Sequence, residues 1–200
     1  MNTERSKTKW VITVVLLSLV NLIIFSVGSI MYLTPITILL MPVFYALFQG
    51  IVFFILGVKV KRKGAILLYC VIQGAVAFNV PYFLMYLLAG VIAEAVMAKT
   101  GYGDVKGLTV SYILMQMLAA FGSTVYPYKI VADATLKGIE DSGDLYVQVS
   151  AASEMIDSWG LAFLLVAVLA ASVIGAFFGK GVMQKHLTGQ KNGWMEDSAS

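Results

Sequence analysis

Six apolar stretches, each at or near the length of a membrane-crossing helix, constrain this chain more than any other feature. A helix rises 1.5 Å per residue, so about 20 residues cover the ~30 Å hydrocarbon core of a bilayer. The stretches run over 10–32, 36–58, 65–80, 82–99, 108–126 and 159–179. Sixty per cent of the 200 residues are apolar and 12% charged, against about 25% charged in a soluble domain, which excludes a water-soluble fold. The expectation is an all-α membrane protein: one transmembrane domain over 1–200, built as a bundle of about six helices. The third stretch is short and ends at Asn79-Val80-Pro81. Because proline disfavours a helical residue before it, that tripeptide is read as the turn into the fourth span. The first run, Trp10 to Tyr32, exceeds the ~7–15-residue core of a secretory signal, and no small-residue cleavage site follows it. It is read as a retained helix.

Charge sets the orientation. Arg5, Lys7 and Lys9 precede the first span, and Lys59, Lys61, Arg62 and Lys63 join the second to the third. Lys99 and Lys106 flank the link between the fourth and fifth, while Lys180, Lys185 and Lys191 follow the sixth. Twelve of the 14 basic residues thus share one face, which the positive-inside rule assigns to the cytoplasm together with both termini. The net charge of +3 therefore reflects topology, and nucleic acid is not an expected partner. Residues 187–200 read as a flexible cytoplasmic tail.

The connection 127–158 is the sizeable extracytoplasmic loop and carries Asp133, Glu140, Asp141, Asp144, Glu154 and Asp157. Within it Leu145, Val149, Ala152 and Ile156 recur at helical spacing opposite Gln148, Ser153 and Asp157. That spacing predicts a short amphipathic helix. The segment is either a surface loop or a lid over a pocket, since long ordered loops are often functional.

Motifs for chemistry are scarce. Gly175-Ala176-Phe177-Phe178-Gly179-Lys180 has one residue too few between its glycines for a phosphate loop and no Ser or Thr after the lysine, so ATP binding by this chain is not expected. Thr100-Gly101-Tyr102-Gly103-Asp104 lacks a residue of a potassium filter and falls on the cytoplasmic side, where it reads as a glycine-rich turn. His186 is the single histidine and Cys70 the single cysteine. With no paired carboxylates, nucleophile and base, or metal cluster in the spans, neither an enzyme nor a metal or cofactor site is expected. Glu94 is the one acid inside a span. An ionisable group at that depth is costly, and it is either a structural acid paired with a polar neighbour, a coupling group, or a contact to another subunit. Ala167, Ala171, Gly175 and Gly179 form a ridge of small residues every fourth position, suited to close helix packing within the bundle or against a subunit.

Aromatic and polar residues gather at the outer ends: Tyr32, Tyr82, Tyr86, Tyr126, Tyr128 and Trp159, with Asn79 and Asp157. An interfacial belt would contain many of them anyway. The alternative is a pocket wall, in which ring faces cover a solute and Asn79 or Asp157 orients it.

The residues taken in order resemble the substrate-binding S components of energy-coupling factor transporters, in the set labelled Trep_Strep. The resemblance rests on Pro35 and Pro42, Lys59-Val60-Lys61-Arg62-Lys63-Gly64, Asn79-Val80-Pro81, and Gly90-Val91-Ile92-Ala93-Glu94 leading to Gly101-Tyr102. It continues through Gly143-Asp144-Leu145-Tyr146-Val147, Ser158-Trp159, and Gly175 to Gly179 followed by Lys185-His186. The first span lacks the alanine-rich coupling motif of better-known S components. The resemblance implies a six-helix bundle in a bacterial cytoplasmic membrane that binds a vitamin-like or other small solute near its outer face. It also implies a transmembrane coupling subunit and two cytoplasmic ATPases as partners. A secondary transporter coupled through Glu94 is the competing reading, and a non-transport assembly or sensory protein a third.

Overall fold

A computed structural model of the chain describes residues 2–156 and 158–196, with side chains for 8–156 and 159–185. Helices account for nearly all of it, and there is no strand among the described residues. In chain order the helices are α1 (Asn2–Gly28), α2 (Pro35–Lys59), α3 (Ala65–Val76), α4 (Val80–Thr100), α5 (Val105–Ala120), α6 (Ala132–Gly138), α7 (Asp144–Met155) and α8 (Ser158–Glu196). A 3₁₀ turn, Ser29–Leu33, follows α1, and a π-helical segment, Phe121–Ile130, prolongs α5.

Local sequence explains the boundaries. Thr34 caps α2 in a reciprocal box: its hydroxyl accepts from the Thr37 N–H at 3.2 Å while the Thr37 hydroxyl accepts from the Thr34 N–H at 3.1 Å. Pro35 follows at the first helical position, where a missing N–H is harmless. Asn79 caps α4 by accepting from the Tyr82 N–H at 3.1 Å, and Asp104 caps α5 by accepting from the Gly107 N–H at 2.7 Å. Gly101 and Gly103 sit at φ +102° and +92° between α4 and α5, so the Thr100–Asp104 motif is a tight turn of the kind glycine permits.

Five helical stretches are long and apolar enough to cross a membrane: Thr8–Leu33, Pro35–Lys59, Val80–Thr100, Val105–Ile130 and Trp159–Lys185. The expectation was about six helices with the third short, and the sixth apolar helix of the structure, Ala65–Val76, is that short one. The third stretch forms only the 12 residues of α3, roughly 18 Å of helix, because the chain leaves helical geometry at Ala77–Asn79, two residues before the proline. The fifth stretch instead overshoots its expected end at 126 and continues to Ile130. The loop after it holds two short helices, α6 and α7, where one was expected. The backbone of α8 continues to Glu196, through much of the segment expected as a tail.

Packing centres on α2. It lies along α8, where a β-carbon at Gly175 would collide with the Ala46 carbonyl, one at Gly50 with the Gly175 carbonyl, and one at Gly179 with the Gly50 carbonyl. The two backbones therefore touch, and three glycines make that possible. Gly175 and Gly179, together with the buried Ala171, turn the small-residue ridge of α8 inward onto α2, while Ala167 is half-buried. One apolar cluster joins Phe53, Phe54, Tyr69, Tyr86, Leu108 and Tyr112 at the centre. A second joins Ile38, Ala46, Tyr128, Val149, Ile156 and Val168 toward the end opposite the Lys59–Lys63 loop. The outward faces of α1 and α8 stay apolar, with Ile12, Leu16, Ile23, Phe163, Val166 and Phe177 all exposed, as a lipid-facing surface requires.

Candidate functional site

At the end of the bundle away from Lys59–Lys63, a cavity of about 260 Å³ opens between the top of α1, the 3₁₀ turn, α2, the α3–α4 turn and the π segment. Its walls are Phe25, Ser29, Tyr32, Met41, Tyr45, Val76, Ala77, Asn79, Tyr82 and Ser123. Tyr45 organises one side. Its hydroxyl donates to the Phe25 carbonyl at 3.0 Å, and its ring stacks on Phe25 at 5.3 Å and 7°. Gly28 leaves the space that ring fills. The Phe25 carbonyl needs an outside donor because α1 gives way to the 3₁₀ turn within a few residues, and buried or interfacial carbonyls must find a partner.

The opposite wall is the α3–α4 turn. Asn79 spends its side-chain oxygen on the cap of α4, and Phe78 before it is held at φ +49° with its ring fully exposed. A non-glycine residue in the left-handed region costs free energy on the order of 1 kcal/mol or more and marks a constrained turn. Tyr82 projects from the first turn of α4 and packs its ring against Tyr86 at 4.8 Å.

Below Tyr82 lies a polar floor. Tyr86 donates to Gln49 Oε1 at 3.3 Å, and Gln116 Nε2 donates to the same oxygen at 3.1 Å, while Gln49 Nε2 is buried without a partner. A second buried link ties α1 to α3, with Asn21 Nδ2 donating to Gln73 Oε1 at 2.7 Å and Gln73 Nε2 donating to the Ser18 carbonyl at 3.2 Å. Membrane helices use such pairs as interhelical ties.

Of the residues singled out from sequence, the cavity brings together Asn79 and Tyr82, with Tyr32. Tyr86 is buried one turn deeper and contributes to the floor. Tyr126 faces a separate recess with Val80, Pro81, Leu84, Met85, Phe121 and Gly122. Tyr128 is buried in the second apolar cluster. Trp159 is 85% exposed and is not among the walls of this cavity, while Asp157 lies outside the described residues. The segment 132–155 supplies no wall residue either. Helix α7 instead packs on α2 and touches the 3₁₀ turn that carries Ser29 and Tyr32. Phe25, Met41 and Tyr45 escaped the sequence reading because each sits inside an apolar run. The available signal was Tyr45 itself, since a tyrosine hydroxyl in a span needs a hydrogen-bond partner.

Glu94 sits at the other end of the bundle, and both of its oxygens are engaged. Oε2 accepts from the Tyr102 hydroxyl at 3.2 Å, and Oε1 accepts from the Leu67 N–H at 3.3 Å. That N–H belongs to the first turn of α3, whose own cap residue, Gly64, offers no side chain. Desolvation, and then the neighbouring Glu94 charge, push the Tyr102 phenol above its ordinary range, so it stays a donor at neutral pH. No cluster of His, Cys, Asp or Glu among the described residues could hold a metal ion, and Cys70 is buried with its thiol 3.8 Å from the Met115 sulfur.

No curated protein and no solved structure matches the chain. The model of one family does, that of the hypothetical bacterial integral membrane proteins called Trep_Strep, over residues 8–188. The five long apolar helices agree with that description, and the match covers nearly the whole bundle; the chain belongs to the Trep_Strep family of bacterial integral membrane proteins.

Proposed function

We propose that this protein is the solute-capturing S component of an energy-coupling factor importer in the bacterial cytoplasmic membrane. In this reading it binds a small molecule in the Tyr45–Tyr82 cavity, while a transmembrane coupling subunit and two cytoplasmic ATPases supply the energy. The observation that carries the reading is the position of the cavity: it opens at the lysine-poor end, which the positive-inside rule turns outward. The termini and the lysine-rich links then face the cytoplasm, where ATPases work. A cavity walled by aromatic rings with a few neutral polar groups is the usual form of a small-molecule site. The engagement of both Glu94 oxygens in tying α3, α4 and the Gly101–Gly103 turn together weighs against a proton-coupling role for that acid.

The test is reconstitution. Liposomes containing this protein with coupling subunit and ATPases from the same cell should accumulate solute only with ATP inside, and a Walker-lysine variant of the ATPases should abolish uptake. Accumulation by this protein alone, driven by a proton gradient and lost in Glu94→Gln, would establish the secondary transporter instead.

A further inference from the structure

We infer that the cavity is built for an uncharged solute carrying a flat ring and an amide-like edge. The inference rests on reading the cavity as the solute site and names the chemistry that site selects. None of the ten wall residues carries a charge, and the polar groups they offer are all neutral: the hydroxyls of Ser29, Tyr32, Tyr82 and Ser123 and the carboxamide of Asn79. The layer beneath is neutral as well. The buried polar residues among those described are Ser18, Asn21, Gln49, Gln73, Ser111, Gln116, Thr124 and Ser172, and the half-buried Glu94 lies at the other end, so no buried charge near the cavity can pair with an ion that leaves water. Desolvating an unpaired charge is prohibitive compared with desolvating an amide that finds hydrogen bonds.

An anion meets a further obstacle, because α6, α7 and the turn between them place Asp133, Glu140, Asp141 and Asp144 at this same end of the molecule, outnumbering Lys129 and Lys137 there. A cation could in principle use ring faces instead of a carboxylate. The rings are already committed to one another, however: Phe25 lies flat on Tyr45, and Tyr82 packs on Tyr86. A neutral planar ligand can instead lie against the apolar part of the wall, Phe25, Met41, Val76 and Ala77, with no need of a counter-charge. The polar contacts also come in donor and acceptor types together. Asn79 has its amide N–H groups beside an oxygen already spent on the α4 cap, and the hydroxyls of the wall can act either way. A ligand edge bearing both a carbonyl and an N–H matches that set. The volume of about 260 Å³, at roughly 30 Å³ for each non-hydrogen atom packed as in a liquid, holds on the order of ten such atoms.

Three probes of one shape separate the charges: benzamide, benzoate and benzamidinium. Their binding to the purified protein in detergent is read by ligand-observed NMR and by the shift of thermal unfolding, with neither ATP nor partner subunits present, so the result is independent of whether the protein transports. Benzamide is expected to bind at least about tenfold more tightly than either ion, a difference of about 1.4 kcal/mol. Equal or tighter binding of benzoate or benzamidinium overturns the inference, and so does absence of benzamide binding at about 10 mM, the weak end of the affinity scale. Asn79→Asp places the test at this cavity. Aspartate caps a helix as well as asparagine does, so the fold is kept, which near-ultraviolet circular dichroism checks. The added charge should raise the benzamidinium-to-benzamide affinity ratio by about fivefold or more. An unchanged ratio in a folded variant would remove the site from this cavity.

Discussion

Tyr45 couples three separate features of the chain at one point: a hydroxyl tied to the Phe25 carbonyl, a ring stacked on Phe25, and a seat provided by the missing side chain of Gly28. Removing the hydroxyl in Tyr45→Phe should cost about 1 kcal/mol of stability. Filling the seat in Gly28→Ala should cost about 1–3 kcal/mol, because the ring must leave its stack. Since both act on one contact, the double variant should lose less than the sum, as thermal or denaturant unfolding in detergent can measure. At the far end, Glu94→Ala strips the cap from α3 and should destabilise by about 0.5–2 kcal/mol. Glu94→Gln keeps an acceptor for the Leu67 N–H and should lose less, with ligand affinity unchanged in both. Trp159→Ala should leave affinity within about twofold, as expected of an exposed belt residue. Polar punctuation was legible at this scale: Asn79 declared itself by standing before Val80-Pro81. The aromatic side of the cavity was not, because a tyrosine between Phe44 and Ala46 in a continuous apolar run has no period to reveal which way it faces.

Among the helices, α8 offers a matched pair of glycines. A β-carbon at Gly175 meets the backbone of α2, whereas one at Gly181 meets nothing within 4 Å. Gly175→Ala should therefore destabilise by about 1–3 kcal/mol, since a backbone cannot move aside as a flexible side chain can. Gly181→Ala should be neutral or stabilising by up to about 1 kcal/mol through helix propensity. Unfolding midpoints of the two variants provide the comparison. The ridge was visible as small residues at every fourth position, although its partner, α2, was not, because spacing names a face and not what covers it. Helix α7 was the clearest case of legibility: Val149, Ala152 and Ile156 are buried, as their spacing required, and Leu145 is half-buried. Its location was the surprise. Burying Val149 and Ile156 in the cluster shared with α2 and α8 contributes roughly 1.5–3 kcal/mol each, and α7 there touches α2 and the 3₁₀ turn. The π-helical stretch had no sequence announcement beyond Pro127, whose absent N–H the wider helix accommodates. Such segments recur at functional sites, and Ser123 of this one lines the cavity.

For the molecule as a whole, apolar run lengths conveyed the class of the bundle, because a bilayer leaves so few ways to satisfy a backbone. They overestimated α3, since an apolar stretch reports what tolerates lipid and not where the helix stops. The contact between α2 and α8 carries a consequence for how the protein is made. Ala46 and Gly50 emerge from the ribosome more than a hundred residues before the glycines that cover them. Until α8 is synthesised, the groove on α2 stands open to lipid, and interactions so distant in sequence form slowly. The last helix thus works as a closing staple for a structure otherwise already inserted. Two fragments cut within the 139–143 turn and expressed together should assemble in the membrane and co-purify, and Gly175→Leu should abolish the association. In a cell, a chain stalled before Ser158 would display that unfilled groove to the quality-control proteases of the membrane, which makes completion of α8 the event that separates a finished molecule from a substrate for degradation.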